Sequence, residues 1–358
     1  MKLLFDSFNK ANLDSDAFDD GCAHFLHENF LVPQIFKPYE NVIQCYETQQ
    51  LDHLDFFIYP INFCDPVFHS KLNKMGKFLN DIDVRILDKL KNNKGIILID
   101  ASYEPFGIDD SLRLHHEIKK VYKTKNVFLN TKISSLYTHY NFFTNFPSFL
   151  ELSTSESKFP KQTEKTTNRK FCLLGLRIDK HEGGLNLIKW LKEQKLLSQG
   201  HISLSLVATE EIIAPILSTS VLNRVKFNIV VEAWFNYSGN EDFPYLTEKI
   251  FRNIHYKKPF ILVGQHSTLK EFRRLGYKTY NEVFDESYDT EKDNDVRLTK
   301  VFSQIKRLIN EPDDFWQKNK EKLDEIHKHN LDNYNARIQS LSRWLLTMNR
   351  TNTQGVIE

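Results

Sequence analysis

Short apolar segments alternate with amphipathic segments along most of this 358-residue chain, and that alternation restricts the possible folds most strongly. Apolar runs bounded by turn residues predict buried strands at 54–60, 95–100, 126–129, 170–175, 201–206, 227–231 and 258–264. Helical spacing of apolar residues predicts helices at 81–92, 109–120, 184–194, from 248 onward, at 269–275 ending on Gly276, at 296–309 and at 314–348. This alternation predicts an α/β protein with parallel, doubly wound sheets.

The alternation stops between residues 153 and 169, where the chain is polar and has no regular apolar face. This segment is the best candidate for a linker. We therefore predict two Rossmann-like domains, an N-terminal one over 1–152 and a C-terminal one over 170–358 that ends in helices.

The composition is that of a soluble globular protein, with 41% hydrophobic and 27% charged residues. A net charge of +1 argues against binding nucleic acid through bulk charge, although it leaves a local basic groove open. The four cysteines are widely spaced and include no Cys-x-x-Cys pair, which suits a reducing compartment. No segment resembles a signal peptide, and no apolar run approaches the roughly 20 residues that span a bilayer, so we expect a cytoplasmic protein.

The most informative local motif is Tyr245-Leu246-Thr247-Glu248-Lys249, at a predicted helix start. A phosphate at such a position meets backbone N–H groups, the positive end of the helix dipole and a lysine. An ordinary helix start explains the same residues: Thr247 caps the helix, an acid suits the first turn, and Ile250, Phe251 and Ile254 face a core. Both interpretations are open on spacing alone.

The surroundings of this motif resemble the nucleotide-sugar site of the α1,3-fucosyltransferase family. There, a strand ending in Phe-Glu-Asn leads through a short loop to Tyr-Val-Thr-Glu-Lys, as residues 227–232 here lead to 245–249. A wider group of viral and bacterial sugar transferases is similar from 169 through 289, including the run Phe284-Asp285-Glu286-Ser287-Tyr288-Asp289. The resemblance covers roughly the second half of the chain, and nothing comparable is found in residues 1–150.

The resemblance implies a glycosyltransferase of the two-domain GT-B type that binds a nucleotide sugar, with guanosine diphosphate as the expected nucleotide, in its C-terminal domain. It implies that Lys249 holds the diphosphate, Glu248 contacts sugar or ribose hydroxyls, Tyr245 lines the pocket beside Thr247, and Glu232 takes the ribose. This chain departs from the family's pattern after the strand: Ala233 replaces the asparagine, and a longer loop carries Trp234, Phe235 and Asn236.

A second cationic segment follows the strand predicted at 170–175. Related transferases carry a basic run here in which an arginine neutralises the diphosphate, and this chain has Arg177 and His181 at matching positions. Lys180 and Glu182 depart from that run. A solvated basic loop is the alternative.

An inverting transferase needs a base that takes the proton of the attacking hydroxyl. The loop after the strand at 95–100 offers Glu104 as this base, with Asp100 behind it, because ligands gather at the carboxyl ends of strands in open α/β sheets. A capping role for Asp100 and a surface position for Glu104 are the alternatives.

No metal and no cofactor beyond the donor are expected. His115-His116 and the pair His327 and His329 lack carboxylate or cysteine partners at ligand spacing, which predicts that they lie on helix surfaces. The run Asp293-Asn294-Asp295 lies in a charged loop rather than between apolar strand residues. Lys249 and Arg177 are expected to replace the cation.

Three functions fit these features. The first is an inverting transfer of a sugar to a hydroxyl acceptor on a glycan, and the second is a transfer to modified bases of DNA. The third is a non-catalytic α/β protein that binds nucleotide sugars.

Overall fold

The computed structural model describes residues 2–5, 44–62, 84–92, 94–100, 116, 120, 127–130, 142–143, 169–174, 182–203, 225–232, 235–236, 244 and 246–353. The chain divides into two compact units, one formed by 1–153 with 335–358 and the other by 154–334. The predicted linker, 153–169, lies almost wholly outside the described residues, so the predicted domain limits stay a prediction.

The first unit contains a six-stranded parallel sheet. Its strands are β1 (Lys2–Phe5), β2 (Gln44–Glu47), β3 (Phe57–Asn62), β4 (Gly95–Asp100), β5 (Val127–Asn130) and β6 (Phe142–Phe143), in the order β2-β1-β3-β4-β5-β6. Helix α1 (Val84–Lys91) joins β3 to β4 and buries Ile86 and Leu90. The strands predicted at 54–60, 95–100 and 126–129 are confirmed with small shifts, whereas β1, β2 and β6 were not predicted. Most of the helix predicted at 109–120 lies outside the described residues.

The second unit contains a four-stranded parallel sheet and most of the described helices. Its strands are β7 (Phe171–Leu174), β8 (Gly200–Ser203), β9 (Phe227–Val231) and β10 (Phe260–Val263). The helices are α2 (Glu182–Glu193), α3 (Glu248–Tyr256), α4 (Thr268–Arg274), α5 (Asn294–Asn310) and α6 (Asp313–Lys318). Helix α7 (Lys320–Thr353) begins in this unit, and its residues from 335 onward belong to the first unit. The prediction of an α/β protein with parallel sheets is confirmed.

The order of the second sheet, β10-β9-β7-β8, positions a ligand crevice. The chain moves from β7 outward to β8, then crosses back and continues outward through β9 and β10. This reversal makes a topological switch point between β7 and β9, where open α/β sheets bind ligands outside the carboxyl ends of the strands. In the first sheet, the same reversal lies between β1 and β3.

Burial explains why β9 and β10, two neighbouring strands of the second sheet, are apolar apart from Asn228. All five residues of β9 and all four of β10 are buried. The ring of Phe171 in β7 lies 6.1 Å from that of Phe227, which in turn stacks at 6.0 Å on Trp316. Gly200 is required at the start of β8, because a Cβ there would lie 2.3 Å from the Phe171 ring.

Two helix ends show how local chemistry sets boundaries. Gly276 follows α4 with φ +87°, which confirms it as the helix terminator. The prediction of one helix over 314–348 is wrong: the helix is interrupted at Asn319 between α6 and α7. The Asn319 side-chain amide donates to the Phe315 carbonyl at 2.8 Å, a local bond that competes with continuous helix.

The histidines on α7 differ in their surroundings. His329 is exposed, as predicted, with its Nε2 2.9 Å from the Gly276 carbonyl oxygen. The surface position predicted for His327 is wrong. Its side chain is buried, because it packs edge-on against Tyr280 with ring centroids 5.9 Å apart.

Within the described part of the chain, no helix combines the length and apolar character needed to cross a membrane.

Candidate donor site at the start of helix α3

Glu232 lies directly after β9, at the carboxyl edge of the second sheet. Its backbone N–H donates to the Val263 carbonyl at 2.9 Å, so it extends the pairing of β9 with β10 by one residue. The side chain is buried, and its carboxylate accepts hydrogen bonds from the backbone N–H of Thr247 at 3.2 Å and from the Thr247 hydroxyl. These two bonds hold the start of α3 against the end of β9.

Thr247 is the N-cap of α3, as predicted, and is itself buried. Its hydroxyl oxygen accepts from the backbone N–H of Lys249 at 3.3 Å and from the Lys249 ammonium at 3.2 Å. A carboxylate, a hydroxyl and an ammonium therefore form a hydrogen-bonded series at the edge where the switch point lies. The cation in this series stands at the positive end of the helix dipole, which favours an anionic ligand.

A buried amide pair fixes α3 to the sheet. Asn228 in β9 donates to Asn253 at 2.7 Å, and Asn253 donates to the Lys249 carbonyl at 2.8 Å. Ile250, Phe251 and Ile254 on the same helix are buried, as predicted. The backbone that carries Lys249 is therefore held by hydrogen bonds and by apolar packing together. The amide pair was not predicted, although a lone asparagine inside the apolar run of β9 is a signal for it.

The remaining predicted site residues are only partly described. Glu248 is the first residue of α3, beside Thr247 and Lys249, and only its backbone is described. Tyr245, Arg177, His181 and Glu104 lie outside the described residues.

In the first unit, Asp100 is the last residue of β4. The register places it between Asn62 at the end of β3 and Asn130 at the end of β5. Asp100 therefore stands at the carboxyl edge of its sheet, in a lateral row with two amide residues that were not predicted as part of a site.

The run 284–289, part of the resemblance to sugar transferases, closes the start of the neighbouring helix α4. The Asp289 carboxylate accepts from the backbone N–H groups of Leu269 at 2.7 Å and Lys270 at 2.9 Å. Arg273 pairs with Glu286 at 3.1 Å and with Asp289 at 3.5 Å. Burial raises the pKa of both carboxyls, and Arg273 opposes this rise. This motif therefore satisfies the first turn of α4 with groups of the protein itself.

Metal ligands do not converge anywhere in the described part of the chain, since no three His, Cys, Asp or Glu residues there are placed to hold an ion. The metal-independent chemistry expected from the sequence stays a prediction.

Comparison with known proteins identifies no family for this chain. Neither a protein-family model nor a curated protein matches it. A solved structure described as the glycotransferase of kitacinnamycin is similar with a TM-score of 0.39 and 10% sequence identity, covering 88% of this chain and 79% of that one. That TM-score is too low to establish a common fold, and that identity is too low to indicate a common activity.

Proposed function

We propose that the chain is a glycosyltransferase that binds a nucleotide sugar at the start of α3 and transfers the sugar to a hydroxyl acceptor. The observation that carries this proposal is the series Glu232, Thr247 and Lys249 at the carboxyl edge of β9, beside the switch point. The sequence motif 245–249, with its resemblance to fucosyltransferases, supports a guanosine diphosphate sugar. A GT-B arrangement of the two domains belongs to the same proposal.

In the proposed reaction, the acceptor oxygen attacks the anomeric carbon while the bond from that carbon to the diphosphate oxygen breaks. The nucleoside diphosphate leaves with the electron pair, and the sugar carbon inverts. Lys249 stabilises the charge that develops on the diphosphate, an interaction that strengthens toward the transition state. Glu232 and Thr247 hold Lys249 and the helix start in place, so the direct ribose contact falls to Glu248.

The proton of the acceptor hydroxyl goes to a carboxylate of the first unit, with Glu104 as the base and Asp100 behind it. The position of Asp100 at the carboxyl edge of β4 supports this assignment. If Glu104→Gln leaves the pH dependence of kcat unchanged while Asp100→Asn abolishes its acidic limb, Asp100 is the base instead.

The test of the donor site is a thermal-shift titration with nucleoside diphosphates and nucleotide sugars. Guanosine diphosphate is expected to stabilise the wild type, and Lys249→Ala should weaken its binding by at least about tenfold, because a charge-assisted contact is lost. Lys192→Ala is the matched control, since Lys192 is an exposed lysine in the last turn of α2, in the same unit.

Equal binding to the wild type and Lys249→Ala would exclude α3 as the diphosphate site. Absence of stabilisation by every nucleotide would exclude the transferase. Binding with neither transfer nor hydrolysis of the donor indicates a non-catalytic protein, and salt-dependent retention on DNA indicates a DNA acceptor.

A further inference from the structure

The segment that follows β9 is anchored to the helix that follows β7. Phe235 is buried, and its ring contacts the first turn of α2 so closely that a Cβ on Gly183 would lie 3.0 Å from it. The neighbouring Asn236 donates a side-chain hydrogen bond to Glu182, the first residue of α2. These contacts connect residues 235–236, which follow β9, to the start of α2, which follows β7. Strands β7 and β9 flank the switch point.

A buried arginine on α5 holds the same segment from another side. The Arg297 guanidinium lies 4.5 Å from the centre of the Phe235 ring and donates to the Phe235 carbonyl at 2.9 Å. It also donates to the Gly264 carbonyl at 3.1 Å, directly after β10. Its other hydrogen bonds go to Glu291, Lys292 and Asn294. One side chain thus fixes the segments after β9 and β10 relative to each other.

Helices α2 and α5 lie side by side in the same direction. Trp190 stacks on Phe302 at 4.6 Å, and four residues further along the chain from each of these rings Lys306 donates to Gln194, the residue that follows α2, at 2.9 Å. Their first turns therefore lie at the same end, where Phe235 contacts Gly183 of one helix and Arg297 of the other. The group formed by Phe235, Asn236, Glu182 and Arg297 is called the clasp below.

We propose that Phe235 and Asn236 are positioning residues for the donor. They set the separation between the start of α2 and the start of α3, and so fix the width of the crevice at the switch point. This inference rests on the proposed function. It assigns a function to the longer loop with Trp234, Phe235 and Asn236. In this loop the sequence departs from the fucosyltransferase pattern.

The first test alters the exposed part of the clasp. Asn236→Asp places a carboxylate against Glu182, and we expect guanosine diphosphate to bind about fivefold more weakly, the loss that corresponds to one hydrogen bond. Adding Glu182→Gln restores a donor and an acceptor across the contact, so the double variant should recover the wild-type affinity. In turnover, KM for the donor should rise while kcat changes little.

Asn92→Asp is the matched control, because Asn92 is also exposed and its side-chain amide donates to the Asp88 carbonyl at 2.8 Å in the first unit. It should leave donor binding unchanged.

The second test alters the buried part. Phe235→Leu should weaken binding, whereas Phe315→Leu should not, although Phe315 also lies under an arginine, with Arg307 at 5.7 Å. Phe315 lies on α6, the helix whose Trp316 stacks on Phe227 at the start of β9, and so away from the carboxyl edge.

The outcomes separate the two proposals. If the wild type binds the nucleotide and the Asn236→Asp and double variants bind equally well, the clasp has no positioning role and the transferase proposal stands. If the double variant binds guanosine diphosphate as weakly as Asn236→Asp does, the pairing of residues 236 and 182 does not cause the loss of affinity. The inference is then also wrong. If the wild type binds no nucleotide, the transferase proposal and the clasp inference are both overturned.

Discussion

Helices α3 and α4 begin at the same edge of the second sheet, but different chemistry closes their first turns. At α4, the carboxylate of Asp289 accepts from the backbone N–H groups of Leu269 and Lys270 directly. At α3, the cap is the neutral hydroxyl of Thr247, with the Glu232 carboxylate behind it and the Lys249 ammonium beside it.

The difference decides which helix start suits an anionic ligand. An anion approaching α4 meets buried carboxylates that already occupy the first turn, and it is repelled. An anion approaching α3 meets a lysine and a neutral cap. Neighbouring strands of one sheet thus lead to one helix start that serves stability and another that is suited to an anionic ligand.

The largest expected effect is a loss of stability at the start of α4, which the Asp289 carboxylate closes. Asp289→Ala removes two charge-assisted hydrogen bonds from a buried helix end and should lower the free energy of unfolding by about 4 kcal/mol. Urea unfolding in a Trp344→Phe background measures this, since the remaining tryptophans then lie within 154–334. Asp285→Ala, at an exposed carboxylate, is the control. Nucleotide binding by the folded Asp289→Ala protein should persist. Loss of nucleotide binding would contradict the division of roles between the starts of α3 and α4.

Acid should destabilise the second unit, because two histidine side chains there, His255 in α3 and His327 on α7, are removed from water by burial. Burial lowers the pKa of His327, beside Tyr280, and of His255, in α3, from 6.5 to about 4. Below pH 6.5 the unfolded chain takes up protons that the folded chain does not bind until about pH 4, so stability falls as the pH falls through this window. The expected loss for His327 is about 3 kcal/mol.

Urea unfolding of His327→Gln at pH 7 and at pH 4.5 tests the acid effect, with the exposed His329→Gln as the control. The wild type should lose more stability between the two pH values than His327→Gln does. Equal pH dependence in the wild type and His327→Gln would show that burial of His327 does not cause the acid sensitivity.

The smallest effect on stability is expected at the start of α3, where Thr247 is the cap. Thr247→Val removes the helix cap and leaves Glu232 without its hydroxyl donor, which should cost about 2 kcal/mol. Thr247→Ser keeps the hydroxyl and should behave like the wild type. Nucleotide stabilisation should fall in Thr247→Val, because Lys249 loses its hydrogen bond to the Thr247 hydroxyl. Full nucleotide stabilisation of Thr247→Val would show that the cap does not organise the donor site.

The sequence predicted the elements whose local pattern is unambiguous. The runs that form β4 and β9 have the predicted bounds, because each is a short, mostly apolar run of the kind that parallel strands in a sheet covered on both faces require. Strands β1 and β2 escaped prediction because four residues carry too little periodicity, and β2 holds Gln44 and Glu47. Their pairing with each other and with β3 is a property of the folded sheet.

The same limit applies to the candidate site. A threonine before an acid and an apolar face was enough to predict the cap and the buried side of α3. The bonds that define the site join residues far apart in the chain: Glu232 to Thr247, Asn228 to Asn253, and Arg297 to Phe235. A sequence pattern reports spacing within one element and holds no information about which side chains meet between elements.

The sequence by itself therefore determined the α/β class, the principal strands of both sheets and the capped, charged start of α3, since propensity and periodicity act over a few residues. Only the tertiary structure decided the strand order and the switch point between β7 and β9. It also decided that the acid-rich run 284–289 closes α4 while Glu232 holds the start of α3 through Thr247. These outcomes depend on long-range packing, in which each buried polar group takes the partner that the fold brings within reach.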